Sequence, residues 1–327
     1  MSIEGLLSQF ASQRILVIGD LMLDEYIWGK VSRISPEAPV PVVNVTGETY
    51  YPGGAANVVR NVREFAPQVA VMGMAGTDPS GMRLVELLQS SGVDTSGVVQ
   101  DGDCLTTVKS RIIARNQQVV RVDRERKRSL TAEQMERAFA YLDRTIPTVG
   151  AVIATDYGKG FLTQPLADYI CRKAREHGKI LTVDPHPHTR LSWVGATAVK
   201  PNRGEAFGAA GLPPSEPISP VLQDQPLLEA GKRLMGMWQC GSLLITLGEQ
   251  GMLLLREDAP PYHTPTRAQD VFDVSGAGDT AIAVFTLGLA VGATAQEAAE
   301  LANRASGIVV GKLGTATVKL AELQASL

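Results

Sequence analysis

The segment Asp273-Val274-Ser275-Gly276-Ala277-Gly278-Asp279-Thr280 is the most informative part of the sequence. Its small residues form a turn that runs into an apolar segment, Ala281 to Val291, which is long enough for a buried helix. Gly276, Ala277 and Gly278 allow a ligand to approach the backbone, and N–H groups at a helix start point at such a ligand with the positive end of the helix dipole. The segment therefore predicts an anion-binding site.

Asp279 adds a second chemical function to this predicted site. A carboxylate repels phosphate, so its position suits a general base that takes a proton from a hydroxyl. The backbone amides would then hold the charge that develops on a transferred phosphoryl group. A glycine-rich helix cap with a solvated aspartate is the alternative, and this segment alone leaves it open.

Composition describes an ordinary globular chain. Its 327 residues are enough for one large α/β domain or two smaller ones, and 44% are hydrophobic and 20% charged. A net charge of -3 gives no general attraction to nucleic acid or to a membrane. The three cysteines, Cys104, Cys171 and Cys240, are far apart and are expected to be reduced residues of a cytoplasmic protein. The first residues lack a basic segment followed by an apolar one, so neither secretion nor membrane spanning is expected.

The apolar pattern predicts alternating strands and helices. A continuous apolar run from Arg14 to Gly19 predicts a central parallel strand that ends before Asp20. The segment from Leu21 to Val45 contains three prolines and predicts a peripheral β element. A glycine turn at 51–57 leads into a helix that reaches Val62. Further strands are expected at 69–72, 149–155, 180–183, 197–200, 243–246 and 252–255, with helices at 81–90, 132–144 and 164–177. This alternation predicts a mostly parallel sheet that is covered by helices on both faces.

A hairpin is predicted over residues 105–123, turning near Asn116-Gln117. Because side chains alternate along a strand, Lys109, Arg111 and Arg115 are expected to share one face. Such a basic face can hold the phosphate group of a substrate. Ordinary solvated strand charges are the alternative.

Polar residues end several predicted strands, where ligands bind in parallel sheets. These residues are Asp20, Asp156, Asp184, Asn202 and Thr246. Asn202 and Glu205 stand three residues apart at a helix start, where they could orient a hydrated Mg²⁺ ion or a phosphate. An N-cap with a closing glutamate explains the same pair equally well. The glycines of Thr246-Leu247-Gly248-Glu249-Gln250-Gly251 fit either a phosphate-contacting loop or a turn.

Other chemistries receive less support. The sequence lacks G-x-x-x-x-G-K-[ST], which excludes a P-loop. The segment Gly276 to Ala281 matches the loose dinucleotide pattern G-x-G-x-x-A, so an oxidoreductase was considered. That match is near the C-terminus, the first strand lacks the fingerprint, and Asp279 would face a pyrophosphate. The His186-Pro187-His188 segment favours a turn over a metal site.

The chain resembles the ribokinase-like carbohydrate kinases, the PfkB family, over essentially its full length. The two family signatures are Gly53-Gly54-Ala55-Ala56-Asn57 and the segment 273–280, in which Val274 replaces the commoner Thr. Within the family, four segments are similar to the kinases that act on D-glycero-β-D-manno-heptose 7-phosphate, namely 19–24, 156–160, 183–186 and 312–315. Since the chain stops at Leu327, it resembles the kinase without the nucleotidyltransferase that is often fused to it.

The resemblance implies an α/β, ribokinase-like fold with a mostly parallel sheet, helices on both faces and a small β-sheet lid. It implies one kinase domain over 1–327, with a lid formed by about 21–49 and 105–123. The implied reaction is ATP-dependent phosphorylation of the anomeric hydroxyl of the heptose phosphate to the 1,7-bisphosphate, on the route to ADP-heptose for lipopolysaccharide. Mg²⁺ is expected because the charge of ATP must be compensated.

The resemblance also implies a role for individual residues. Asp279 would be the base, with Gly276, Ala277 and Gly278 as the anion hole. The residues expected to bind sugar hydroxyls are Asp20, Asp24, Gly53, Gly54 and Asn57. The residues expected to line the nucleotide site are Asn202, Thr246, Gly248, Gly251 and Asn303, with Glu205 at the metal. Lys109, Arg111 and Arg115 remain the candidates for the sugar phosphate.

A sugar phosphate and ATP are thus the expected partners, with a homodimer through the lid, a cytoplasmic location, and neither nucleic acid nor membrane. Three alternatives stay open. They are a ribokinase-like kinase for another sugar, of the fructokinase or ribokinase type, a non-catalytic sugar- or nucleotide-binding regulator, and a dehydrogenase. A dehydrogenase would change nicotinamide absorbance with its substrate, and a regulator would show no turnover.

Overall fold

The computed structural model describes residues 3–115, 117–267, 274–312 and 314–327. Asn116 of the predicted hairpin turn, Asp273 of the glycine-rich segment and Leu313 of the last quoted motif lie outside the described residues. The strands are β1 (Arg14–Gly19), β2 (Leu21–Ile34), β3 (Pro41–Gly54), β4 (Gln68–Gly76), β5 (Asp94–Asp101), β6 (Thr107–Ala114), β7 (Gln117–Arg124), β8 (Ala151–Thr155), β9 (Ile180–Asp184), β10 (Ala198–Val199), β11 (Ser242–Thr246), β12 (Met252–Arg256) and β13 (Ala259–Thr264).

Five of the connections between successive strands contain α-helices. The α-helices are α1 (Ile3–Gln9), α2 (Ala55–Arg63), α3 (Pro79–Ser90), α4 (Ala132–Thr145), α5 (Gln164–Glu176), α6 (Arg203–Ala210), α7 (Gln225–Trp238), α8 (Ala277–Ala290), α9 (Ala295–Val309) and α10 (Leu320–Ala325). None of the described helices is both long and apolar enough to cross a bilayer.

Nine strands form a large sheet in the order β13-β12-β11-β10-β9-β8-β1-β4-β5. The strands from β11 to β5 in this order are parallel, and only β12 and β13 are antiparallel to their neighbours. The predicted mostly parallel sheet is therefore confirmed. The sequence does not predict β5 and β13, because β5 lacks an apolar run and β13 contains two prolines.

Strand β1 shows why this part of the sequence is continuously apolar. Leu16 and Ile18 pack into one core with helices α4 to α7, while Ile15 and Val17 pack into another with α2 and α8. Both faces of the strand are buried, as in sheets that helices cover on both sides. The free energy of burying these side chains therefore fixes β1 at the centre of the sheet.

Four strands form a second sheet in the order β3-β2-β6-β7, which we call the small sheet. Its β2–β6 pair is parallel and its other pairs are antiparallel. The strands of the small sheet cover residues 21–34, 41–54, 107–114 and 117–124, and β3 runs beyond residue 49 to Gly54. Pro41 and Pro52 lie on β3, an edge strand, where a missing N–H costs least.

The two sheets meet at the switch point of the large one. The chain order reverses around β1, which lies between β4 and β8. Asp20 follows β1 and Asp156 follows β8, so both lie at the crevice where open α/β sheets bind ligands. The small sheet begins one residue later, at Leu21, so it adjoins this crevice.

Candidate active site

Helix α8 begins at Ala277, four residues before the predicted apolar segment. Gly276 is its N-cap and has a left-handed φ of 82°, and a Cβ atom there would lie 3.1 Å from Nδ2 of Asn57. Ala277, Gly278 and Asp279 therefore form the first positions of the helix, where backbone N–H groups have no intrahelical acceptor. An anion at this point meets N–H groups and the positive end of the helix dipole.

The carboxylate of Asp279 accepts two hydrogen bonds from distant parts of the chain. Asn57 on α2 donates from Nδ2 to Oδ2 at 2.7 Å, and the Tyr157 hydroxyl donates to Oδ1 at 2.6 Å. Arg60 donates to Oδ1 of Asn57 at 3.1 Å, which orients the amide so that its NH₂ group faces Asp279. The structure thus joins the two glycine-rich segments of the sequence at one carboxylate.

The surroundings change the acidity of Asp279 in both directions. Burial raises the pKa of the carboxyl above the ordinary value of an aspartate, and the charge of Asp24 adds to this. The hydrogen bonds from Tyr157 and Asn57, and the charge of Lys200, act in the opposite direction. A raised pKa favours a general base, because a stronger base takes a proton from a hydroxyl more readily.

Lys200 brings a buried positive charge to the same place. It follows β10 and its Nζ lies 3.1 Å from Oδ1 of Asp184, at the end of the neighbouring strand β9. The same Nζ would be 3.5 Å from a Cβ atom on Gly278, so the ammonium group faces the start of α8. Burial alone would lower the pKa of Lys200, but Asp184 and Glu205 raise it above the ordinary value. Lys200 is therefore charged beside the anion site.

Asp24 and Gly53 form the side of the crevice that belongs to the small sheet. Asp24 is buried on β2, and a Cβ atom on Gly53 would collide with its carboxylate. Arg111 on β6 pairs with Asp24, with 2.5 Å between NH1 and Oδ1. The charge of Asp24 contributes to the raised pKa of Asp279, so the two carboxylates interact electrostatically. Gly54 is the N-cap of α2 and completes this wall.

Asp20 has different partners from those expected of a sugar ligand. Its Oδ2 accepts from the backbone N–H groups of Tyr157 and Lys159 at 2.9 and 3.0 Å, and its Oδ1 accepts from that of Phe161 at 3.1 Å. A carboxylate has about four acceptor positions, so about one remains for a sugar hydroxyl. The contacts in the structure make Asp20 the group that fixes the loop after β8.

The three predicted basic residues have different partners in the structure. Lys109 pairs with Asp123 at 3.2 Å and with Glu125 at 3.9 Å, and Arg111 pairs with Asp24. Arg115 lies beyond the end of β6 with a left-handed φ of 51°, and its guanidinium donates to the backbone O of Val31. Because Arg115 lies in this turn, the alternation along β6 does not place its side chain on the face of Lys109 and Arg111.

A cavity of about 620 Å³ lies on the other side of the α8 start. Four of the five predicted nucleotide residues line it, namely Thr246, Gly248, Gly251 and Asn303. The fifth, Asn202, forms a backbone bridge with Thr246. Ala277 and Gly278 line the same cavity, so it opens toward the anion site. The buried amide of Asn303 donates to Thr264 and to the backbone O of Pro265, which shapes the cavity wall.

Asn202 and Glu205 form the N-terminal capping box of α6. The backbone N–H of Asn202 donates to Oε2 of Glu205 at 2.7 Å, and the N–H of Glu205 donates to Oδ1 of Asn202 at 2.9 Å. The capping alternative is therefore observed. The charge of Glu205 also raises the pKa of Asp184 and of Lys200, so Glu205 interacts electrostatically with the polar crevice. One carboxylate and one amide suit Mg²⁺, which keeps several waters and binds substrate phosphates.

His186 and His188 are close to each other, with ring centroids 5.4 Å apart. Within the described ranges, no group of three His, Cys, Asp or Glu residues has the arrangement of a metal site. The interpretation of this segment as a turn is consistent with that result.

Comparison with known proteins identifies the family. Residues 12–322 match the family described as pfkB family carbohydrate kinase. The chain belongs to the PfkB family of carbohydrate kinases.

Two curated relatives of this PfkB kinase carry the name "Bifunctional protein HldE". The protein from Desulfatibacillum aliphaticivorans is 45% identical over 321 residues, which are 98% of this chain and 64% of the relative. The protein from Geotalea uraniireducens (strain Rf4) is 42% identical over 325 residues, 99% of this chain and 65% of the relative. The chain thus spans slightly less than two thirds of these relatives.

Solved structures show that the PfkB kinase has the ribokinase-like fold. Phosphofructokinase-2 from Escherichia coli in complex with substrates and products has a TM-score of 0.74 at 19% identity, covering 95% of this chain and 97% of that one. Ribokinase from Arabidopsis thaliana, complexed with ribose and ATP, has a TM-score of 0.71 at 15% identity, covering 96% and 98%. The predicted fold class is confirmed.

Two polar residues of the PfkB crevice were not among the predicted site residues. Tyr157 was noted only within a motif, and Lys200 only as the residue before Pro201-Asn202. Lys200 directly follows β10, and Tyr157 is the second residue after β8. Asp20 and Asp156 likewise follow the ends of β1 and β8. Their position close to strand ends is the signal in the sequence that could have identified both residues.

Proposed function

We propose that this PfkB kinase transfers the γ-phosphoryl group of ATP to the anomeric hydroxyl of D-glycero-β-D-manno-heptose 7-phosphate. The product would be the 1,7-bisphosphate on the route to ADP-heptose for lipopolysaccharide. The observation that carries the kinase chemistry is the Asp279 carboxylate in the first turn of α8, with the Lys200 ammonium beside it. The choice of sugar is supported by the four heptose-kinase-like segments and by the relatives named HldE.

The proposed reaction is a direct phosphoryl transfer. The sugar hydroxyl oxygen forms a bond to the γ-phosphorus, the bond from phosphorus to the bridging oxygen breaks, and ADP leaves. Asp279 takes the hydroxyl proton. The N–H groups at the start of α8 and the Lys200 ammonium stabilise the negative charge on the transferred group.

The cavity beyond α8 is the proposed ATP site. Its volume of about 620 Å³ suits a ligand of this size, and its lining runs from Thr246 to Ala277 and Gly278. This places the phosphate end of the nucleotide at the helix start and the acceptor sugar on the Asp24 side. Asp279 then lies between donor and acceptor, as a base for the transferred proton requires.

Bound Mg²⁺ would neutralise charge on the phosphates of ATP. Glu205, with Asn202, is the proposed group that orients the ion through water. The Glu205 carboxylate is suited to this because its charge acts on Asp184 and Lys200 while it caps α6.

The small sheet is the proposed cover of the sugar site and the proposed dimer interface. All eight residues of its edge strand β7 are exposed, and Val120 and Val122 are 48% and 47% exposed. An exposed edge with apolar side chains suits pairing with a second copy. Changing both valines to lysine is expected to reduce the molecular mass measured by light scattering to that of a monomer. An unchanged mass would argue against this interface.

A cytoplasmic location is proposed from the cysteines. Cys104, Cys171 and Cys240 form no disulfide. Burial raises the pKa of Cys171 to about 11 and that of Cys240 to about 12, so these thiols are poorly reactive. Unpaired thiols are typical of reducing compartments.

A panel of sugars and sugar phosphates tests the proposed function. The protein is incubated with ATP and Mg²⁺, and products are detected by mass spectrometry. We expect heptose 7-phosphate to gain one phosphoryl group and to give the highest kcat/KM of the panel. A higher kcat/KM for fructose or ribose would overturn the heptose assignment, while ATP-dependent turnover of none of the sugars would favour a regulator.

A further inference from the structure

The Tyr157 hydroxyl has a position that the proposed chemistry does not yet explain. It donates to Oδ1 of Asp279 at 2.6 Å, on the opposite carboxylate oxygen from Asn57. Burial and the charges of Asp279 and Asp184 raise the pKa of Tyr157 well above its ordinary value. The phenol therefore stays protonated and can act only as a neutral donor toward this carboxylate.

The loop that carries Tyr157 is fixed from two sides. Asp20 accepts the N–H groups of Tyr157, Lys159 and Phe161, and Asp156 accepts the N–H of Gly158 at 2.8 Å. Thr189 donates to the other oxygen of Asp156 at 2.5 Å. The backbone of Tyr157 is thus held by the residue that follows β1, while its hydroxyl contacts α8. This arrangement connects the central strand to the proposed base through one side chain.

We propose that Tyr157 is a positioning residue, whose hydroxyl holds the Asp279 carboxylate in its reactive orientation and keeps it unprotonated. This inference rests on the proposed function, in which Asp279 is the base. A carboxylate that accepts one bond on each oxygen keeps a second acceptor position on each. The sugar hydroxyl can therefore still donate to Asp279 while Tyr157 and Asn57 stay bound.

The other groups around Asp279 determine how the pKa of its carboxyl would change if the Tyr157 hydroxyl were lost. Lys200 favours the ionised carboxylate, whereas Asp24 disfavours it. Asp184 lies close enough to interact with Asp279 and carries the same charge when ionised. The remaining neighbour, Asn57, is uncharged and is oriented by Arg60. Without the phenol, burial and the two acids are opposed by one hydrogen bond fewer, so Asp279 would bind a proton more readily.

The test is the pH dependence of kcat/KM for Tyr157→Phe, with ATP and the best sugar of the panel. We expect the parent enzyme to lose activity as the pH falls and Asp279 becomes protonated. Because one hydrogen bond to an ionised group is lost, we expect this acid limb to move to higher pH by about one to two units. Tyr169→Phe is the matched control, since Tyr169 also donates to an aspartate, Asp143, but on the surface. Its acid limb should coincide with that of the parent.

If thermal unfolding shows that Tyr157→Phe does not fold, a second modified protein provides the test. Site-specific replacement of Tyr157 by 3-fluorotyrosine keeps the side chain and makes its hydroxyl a stronger donor. We expect the acid limb to move to lower pH in this protein. An acid limb that stays at the parent's pH in whichever of the two proteins folds would overturn the inference.

The variant Asp279→Asn separates this inference from the proposed function. If that variant is inactive while the limb in Tyr157→Phe is unmoved, Asp279 remains the base and only the role of Tyr157 is rejected. If Asp279→Asn keeps near-normal turnover, the base assignment fails, and with it the role of Tyr157.

Discussion

The start of α8 and the strand β6 were both predicted to bind phosphate, but their side chains are arranged differently in the structure. At α8, Asn57, Tyr157 and Lys200 come from three distant parts of the chain and converge around Asp279. On β6 and in the turn after it, each of the three predicted basic residues is already paired with a different group. The difference lies in what positions the side chains.

Parallel strands with short turns at their carboxyl ends bring side chains together at one edge of the sheet. The groups around Asp279 follow β8, β9 and β10 or begin α2, so backbone geometry determines their separation. Alternation along β6 determines only the face of the sheet, and it does not extend to Arg115, which lies in the turn beyond the strand. A pattern of charge on one strand is therefore weaker evidence for a site than polar residues at several strand ends.

The largest expected effect is at Asp279. Asp279→Asn keeps the shape and removes the basicity, so kcat should fall by roughly 10²-fold or more with little change in the affinity for ATP. The measurement is steady-state kinetics together with nucleotide binding. Asp143→Asn, a surface aspartate that also accepts from a tyrosine and a lysine, is the control. Near-normal turnover in Asp279→Asn would reject the assignment.

Lys200→Met should have the next largest effect, because it removes the buried charge that faces the start of α8. Loss of one group that stabilises developing negative charge lowers kcat by about 10²-fold. Asp184 is left buried without its partner, and burial already raises the pKa of its carboxyl, so it can protonate. The surface pair of Lys173 with Asp143 provides the control Lys173→Met. A reduction confined to thermal stability, with kcat intact, would show that Lys200 is structural.

Arg111 tests whether the small sheet recognises a substrate phosphate. A charge-assisted hydrogen bond contributes about 1.5–3 kcal/mol, so Arg111→Ala should raise KM for heptose 7-phosphate by about tenfold or more and leave ATP binding unchanged. Lys109→Ala should have a smaller effect, because Asp123 and Glu125 already share its charge.

The dephosphorylated heptose distinguishes two roles of Arg111. If Arg111 only holds Asp24, both sugars lose affinity equally in Arg111→Ala. If Arg111 binds the phosphate, only the phosphorylated sugar loses affinity. Equal use of both sugars by the unmodified enzyme would remove this residue-based support for a phosphorylated substrate.

These contrasts show what the sequence could and could not provide. The parallel sheet and the glycine turns were predictable because their signals are local, namely apolar runs such as Arg14 to Gly19 and glycines before a helix. Partners were not predictable, since the three amides that occupy Asp20 lie about 140 residues further along the chain. The family resemblance implied that Asn57 and Asp279 are both site residues. It did not imply their hydrogen bond, which depends on the packing of α2 against α8.

Glu205→Gln tests the metal role separately from helix capping. Glutamine can close the same capping box, so the melting temperature should stay nearly constant. We expect the Mg²⁺ concentration for half-maximal rate to rise several-fold, because one charge near the phosphates is lost. Glu297→Gln alters the equivalent capping box of α9, away from the cavity, and is the control. An unchanged Mg²⁺ dependence in Glu205→Gln would leave Glu205 as a capping residue alone.

The smallest effect on KM is expected for a change at Arg115. Its guanidinium donates to the backbone O of Val31 at 3.3 Å, in the part of the small sheet farthest along β2 from Asp24. An exposed contact of this kind contributes little, so Arg115→Ala should change KM for either sugar by less than about twofold. The measurement is the same pair of KM values as for Arg111→Ala. A tenfold rise for the phosphorylated sugar alone would mean that the small sheet closes over the substrate and moves Arg115 to it, and the position of this side chain in the present structure would then not be the one that binds substrate.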